Sequence, residues 1–120
     1  MSKITKVIAR QVFDSRGNPT IEAEVFCKEI SSKAICPSGA STGTYEAYEK
    51  RDIKNKKYLA KSVFSPVKII NFKISKKIIN KNVHNQELID SILINLDGTK
   101  NKANIGANAI LAVSMAVKKL

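Results

Sequence analysis

Alternation with a period of two dominates the first part of the chain. Residues 20–27 place Ile21, Ala23 and Val25 on one side and Glu22 and Glu24 on the other, which is the pattern of a half-buried strand. An earlier strand over residues 3–13 has Ile4, Val7, Ile8, Val12 and Phe13 as its apolar members. Between the two lies Asp14-Ser15-Arg16-Gly17-Asn18-Pro19, dense in turn formers and therefore a loop. A polar turn around Glu29 to Ser32 leads to a third strand over 33–37. Three consecutive strands with short connections predict an antiparallel meander.

The period then lengthens. Residues 44–51 read as a short helix. Val63, Val67, Ile70, Ile74 and Ile78 fall at steps of 4, 3, 4 and 4, one face of a longer helix. Nine lysines and no acid lie between residues 53 and 81, so the opposite face reads as solvated charge. Proline inside a helix costs about 3 kcal/mol, whereas Ser65 and Pro66 suit an N-cap and first helical position. The helix is therefore expected to begin or kink near 66 and run to about 80. Residues 85–95 form another amphipathic helix with Leu88, Ile89, Ile92 and Leu93 inward, closed by Asp97-Gly98-Thr99. The last helix, 104–119, is alanine-rich and apolar on nearly every face. That predicts a central helix, or one covered by another domain, and self-association if the chain stands alone. Strands first and helices after give an α+β fold: a three-stranded antiparallel meander followed by a helical subdomain, one domain over residues 1–120.

Charge adds one ambiguity. The chain carries a net charge of +11, with 18 lysines but only 3 arginines, alongside 16 isoleucines and 10 asparagines. Lysine, isoleucine and asparagine share A/T-rich codons, so a low-GC genome accounts for all three together. Nucleic-acid surfaces favour arginine and, for single strands, interleaved aromatics, and neither is evident here. The expectation is no nucleic acid, with a small basic nucleic-acid-binding module as the rival reading. No apolar run approaches the ~18 residues a membrane span needs, and MSKITKVIARQ lacks a secretory core, so a cytoplasmic protein with no membrane partner is expected. Cys27 and Cys36 have no metal-type spacing and read as free thiols, the alternative being a pairing across a hairpin.

Candidate chemistry is sparse. The single histidine, His84, sits in a polar stretch and reads as a surface residue. There is no Ser/His/Asp set and no carboxylate cluster. Pro37-Ser38-Gly39-Ala40-Ser41-Thr42-Gly43 stands apart. Glycine lets a backbone approach a ligand, and hydroxyls donate to phosphate or ligate Mg²⁺. A plain flexible connector explains the composition equally well, and the Gly-Lys-Ser/Thr ending of a Walker loop is missing.

Three segments in register resemble the enolase family. They are Ala9-Arg10-Gln11-Val12-Phe13-Asp14-Ser15-Arg16-Gly17-Asn18-Pro19-Thr20-Ile21-Glu22; then residues 37–43 with Glu46-Ala47 and Arg51-Asp52; then Leu96-Asp97-Gly98-Thr99, Asn101-Lys102 and residues 106–114. The resemblance covers the family's first domain from end to end. It implies reversible dehydration of 2-phosphoglycerate to phosphoenolpyruvate with two Mg²⁺ ions. It also implies that residues 37–43 are the mobile active-site loop. On that basis Gly39 and Ala40 lie beside substrate, and Ser41 gives its hydroxyl and carbonyl oxygens to the second Mg²⁺. Arg10 and Glu22 match positions that pair across the family's homodimer interface. The proton-abstracting lysine and the carboxylates for the first Mg²⁺ belong to a C-terminal barrel beyond Leu120, so the chain is expected to be a catalytically inactive fragment; a truncated, non-functional remnant is the other reading. Ala60 and Ser62 stand where the family usually has glycine, Pro66 replaces a helix-favouring residue, and the turn at 28–32 lacks its glycine.

Overall fold

A computed structural model describes residues 2–37, 49–52, 62–102 and 104–120. Strands β1 (Lys6–Phe13), β2 (Pro19–Cys27) and β3 (Ile30–Ile35) form an antiparallel sheet in the order β1-β2-β3, the meander that the alternation predicts. In β1–β2 the register sets Val7 opposite Val25, Ala9 opposite Ala23 and Gln11 opposite Ile21; in β2–β3 it sets Ala23 opposite Ala34. Val7, Ala9, Ile21, Ala23, Val25 and Ala34 are buried, so these rows make the inner face.

The strand boundaries differ from the sequence reading at two places. Residues 3–5 precede the strand: Lys3 bridges Asn82, Ile4 exchanges backbone bonds with Lys81 and Asn80 at 2.9 and 2.8 Å, and Thr5 N–H donates to Phe26 O at 2.8 Å. The hairpin β2–β3 closes at Cys27–Ile30, so only Lys28 and Glu29 form the turn and β3 starts earlier than residue 33. Lys28 adopts φ +58°, a conformation glycine reaches at less cost, so the turn stays tight although its glycine is missing. Cys36 donates its N–H to Ile21, and Cys27 lies opposite Ile30. The two thiols are free, buried and not across from one another.

A helical rod follows, built from α1 (Phe64–Ile69), a π-helical turn (Ile70–Ile74) and α2 (Ser75–Ile78). Val63, Ile70, Ile74 and Ile78 are fully buried, as the spacing predicts. The π turn explains the successive steps of four, because more residues per revolution hold an i, i+4 row in line where an α-helix would let it drift. Ser65 is not the N-cap. The cap comes from a distant residue, Asp52, whose carboxylate accepts from Phe64 N–H (2.8 Å), Ser65 N–H (3.1 Å) and Ser62 Oγ (2.8 Å). Pro66 is then the third helical residue, where its missing N–H is one of the first-turn donors with no intrahelical partner, so no kink is needed. Inside the π turn, Asn71 reaches the outer edge of β1: its Oδ1 accepts from Ala9 N–H at 2.8 Å and its Nδ2 donates to Ala9 O at 3.1 Å.

Helix α3 (Gln86–Asp97) is capped by Asn85 at its start and by Gly98, φ +72°, at its end. Ile89 and Leu93 are buried, but Leu88 is 42% exposed, contrary to the inward stripe assigned to it. Helix α4 (Ala107–Lys119) lies against β2 and β3 and against α3. Its residues Ala109, Ala112, Val113, Ala116 and Val117 are buried, so the small side chains let it sit on the sheet. Most of its apolar side chains are therefore used inside this fold, and Leu111 is 42% exposed.

The sequence reading also missed an aromatic row. Phe64 and Phe72 are 40% and 65% exposed on the rod, interleaved with the exposed Lys68 and Lys76.

Candidate functional site

Gly39, Ala40 and Ser41 lie outside the described residues, as does most of the helix expected over 44–51; residues 49–51, which are described, are not helical. What is described is the stem on either side. On the incoming side, Thr20 Oγ1 donates to Cys36 O at 2.7 Å, and Cys36 N–H donates to Ile21 O at 2.9 Å. On the outgoing side, Arg51 Nη1 donates to Pro19 O at 2.7 Å while its Nη2 pairs with Glu49 at 3.1 Å. The first three residues of β2 thus hold both stems.

A second clamp fixes the outgoing stem to α4. Asn108, 3% exposed, accepts from Lys50 N–H and donates to Lys50 O, both at 3.0 Å. Gly106 permits that approach: it has φ +97°, and a Cβ there would stand 2.5 Å from Lys50 Cβ. The turn before α4 is organised by Asp97, itself 2% exposed. Its carboxylate accepts from Ile105 N–H (2.7 Å), Thr99 N–H (3.0 Å) and the Thr99 hydroxyl, and Asn104 Nδ2 donates to its backbone carbonyl at 2.8 Å. Burial pushes the Asp97 pKa up, but the hydrogen bonds from Thr99, Ile105 and Gly106 outweigh it and hold the group below the ordinary carboxylate value.

The Cys36 thiol at the incoming stem is pushed up to about 11, first by burial and then by the nearby Glu49 carboxylate, against a smaller opposing effect of Arg51. A thiol with that pKa stays protonated at neutral pH and is a poor nucleophile or metal ligand. Among the described residues there is no group of three or more His, Cys, Asp or Glu side chains that could hold a metal, so they do not by themselves fit a magnesium shell. His84 is exposed, as its polar setting suggests.

The other two assigned residues do come together, within one chain. Arg10 and Glu22 are cross-strand partners on the outer sheet face. Arg10 Nη1 meets Glu22 at 2.5 Å and Nη2 meets Glu24 at 2.9 Å. Glu24 was not singled out from the sequence, although the period of two sets it on the same face as Glu22. The hydrogen bonds that Arg10 donates to Glu24 and then to Glu22 raise its pKa, and Arg10 in turn lowers that of Glu24. A carboxylate with a lowered folded pKa stabilises the fold above its unfolded value and loses that contribution as pH falls through the folded one. Arg10→Gln should therefore weaken the chain at neutral pH, with the deficit shrinking in acid below the ordinary glutamate value of 4.5. Urea titrations across that range test this, and a deficit that does not change with pH would show that the ionisation of Glu24 contributes nothing to it.

The model of the family described as "Enolase, N-terminal domain" matches residues 4–120. An enolase of Pelagibacter ubique is 72% identical over the whole of this chain, which covers 29% of that protein. Enolases of Methanococcus vannielii and Methanosarcina mazei are 59% and 52% identical over 97% and 98% of the chain, each covered to 27%. The chain thus spans less than a third of the length of these relatives. With a family match over almost every residue and a sheet-then-helix fold of the expected kind, the chain belongs to the enolase N-terminal domain family.

Proposed function

We propose that residues 1–120 act as the amino-terminal domain of an enolase, the cytoplasmic glycolytic lyase that interconverts 2-phosphoglycerate and phosphoenolpyruvate. In this reading the segment containing Gly39, Ala40 and Ser41 is the active-site loop. Ser41 supplies a hydroxyl and a carbonyl oxygen to the second Mg²⁺, and Gly39 and Ala40 border the substrate. The bound ions stabilise negative charge developing on the substrate. The observation that carries the reading is the double tether at the start of β2, since Thr20–Cys36 and Arg51–Pro19 bring both ends of that loop to one end of the sheet. Apolar side chains gather there. Phe13 pairs with Pro19, and Phe64 follows Val63, whose N–H donates to Gln11; Phe13 is 51% and Phe64 40% exposed. That end is suited to a C-terminal barrel. The outer sheet face carrying Arg10 and Glu22 is the side for a homodimer, in which part of the intrachain pairing is exchanged for contacts with the other subunit.

Two neutral oxygens from Ser41 are too few for a divalent ion that ordinarily takes carboxylates, and the base that removes the α-proton is assigned to the barrel. Purified 1–120 is therefore expected to form no phosphoenolpyruvate above the blank. Turnover that copurifies with the chain and disappears in Ser41→Ala would overturn the inactivity. In a protein extended by the barrel, Ser41→Ala should lower kcat on the order of a hundredfold, the usual scale for losing one stabilising group at developing charge. Unchanged kcat there would remove Ser41 from the metal shell.

A further inference from the structure

We propose that the solvent face of the α1–π–α2 rod is a docking surface for an anionic phospholipid leaflet. The proposal is independent of the catalytic reading and departs from the sequence expectation of no membrane partner. Lys68, Phe72 and Lys76 follow one another at i, i+4, and each is exposed. In a plain α-helix such a row winds around the axis, because four residues overshoot a 3.6-residue turn. The π turn at Ile70–Ile74 takes up that excess and keeps Phe72 and Lys76 in line with Lys68. Lys73 and Lys77 flank the row and are exposed as well.

The chemistry of the row selects its occupant. From Ile53 to Gln86 the sequence holds no aspartate or glutamate, so nothing on the rod opposes an anionic surface. The carboxylate nearest its start, Asp52, is engaged with the backbone of Phe64 and Ser65. Phe72, at 65% exposure, exceeds what a merely solvated lysine face calls for. A phenyl ring ringed by long-stemmed lysines enters the headgroup–acyl boundary while the ammonium groups stay at the phosphates. Each lysine near such a surface contributes a similar electrostatic increment. The exposed row runs along one helical rod that carries no arginine, which fits a plane better than it fits a nucleic-acid strand; single-strand binders track the backbone in a charged channel.

The test uses the 120-residue chain with vesicles of phosphatidylcholine, with and without phosphatidylglycerol. The chain should sediment with the anionic vesicles only, and added salt should release it. Phe72→Ser should weaken binding about tenfold, the scale of one buried phenylalanine. Lys73→Glu with Lys76→Glu should abolish it. Lys100→Glu with Lys118→Glu changes net charge equally at exposed sites off the rod, and should leave most of the binding. All these positions are exposed, so circular dichroism should report an unchanged fold. Equal effects of the two lysine pairs, or no effect of Phe72→Ser, would reduce the attraction to net charge alone and overturn the proposal. So would no binding at low salt, or single-stranded RNA binding the same row and displacing the chain from vesicles.

Discussion

Asp97→Ala is expected to destabilise the chain by about 3 kcal/mol, a large share of the ~5–15 kcal/mol available to a domain. Removing this carboxylate leaves the N–H groups of Thr99 and Ile105 without their acceptor at a site that is 2% exposed. Asp97→Asn should recover little. Its amide keeps one acceptor oxygen but turns a donor toward Ile105 N–H or toward Thr99, whichever way it is placed. The pH dependence separates this from a simple packing loss. Hydrogen bonding holds the folded Asp97 pKa below its usual 3.8, so the carboxylate stabilises the fold in full above that value and loses the contribution as pH falls through the lower folded one. The gap between wild type and Asp97→Asn in urea titrations should thus be constant from neutrality down to weak acid and narrow only below it. A gap that widens in acid would mean that the carboxyl is not ionised in the fold.

Gly106→Ala is the second substitution with a large expected effect, again about 3 kcal/mol. A non-glycine residue held at φ +97° costs ~1–3 kcal/mol by itself. The added methyl would also stand 2.5 Å from Lys50 Cβ and 2.6 Å from Asn108 Oδ1, so it would push apart the two groups that form the clamp on the outgoing stem. Gly17→Ala provides the comparison. Its φ is +78°, but nothing lies within 4 Å of the added carbon, so only the backbone strain remains and the loss should be about 1 kcal/mol. Hydrogen exchange gives a local readout: the Lys50 amide, now protected by Asn108, should exchange faster in Gly106→Ala and unchanged in Gly17→Ala. Equal losses in both variants would show that the Lys50 segment gives way without resistance.

These two positions illustrate where sequence and structure part company. The strands, the buried face of the rod and the end of α3 at Gly98 follow from periodicity and turn chemistry, because each is decided by neighbours within a few residues. The cap on α1 does not. Ser65 looked like a cap by local rules, but Asp52 reaches it from thirteen residues away, and no pattern in one sequence announces a partner at that range. The same holds for Asn71 on Ala9 and Asn108 on Lys50, both clasps between residues some sixty positions apart. Leu88 shows the complementary error: the helical stripe is broad, and only the packing of α3 on α4 decides which edge of it faces water. As for the site, Arg10 and Glu22 follow from family register, while the third member of their cluster, Glu24, follows from the strand period that sets it on the same face as Glu22.

The asparagine clasp on β1 has a further consequence for how the sheet meets other strands. With Ala9 N–H and C=O both engaged by Asn71, and with the rod lying alongside, that margin offers little to a newcomer seeking backbone partners. On the opposite margin, β3, the carbonyl of Lys33 accepts from Lys119 Nζ at 3.1 Å, a lighter hold than the two-bond clasp on Ala9; its other safeguards are its six-residue length and the exposed side chain of Lys33. Any zipping of one copy onto another should therefore be one-sided, pairing β3 with β3 and stopping at two molecules instead of running on into a ribbon.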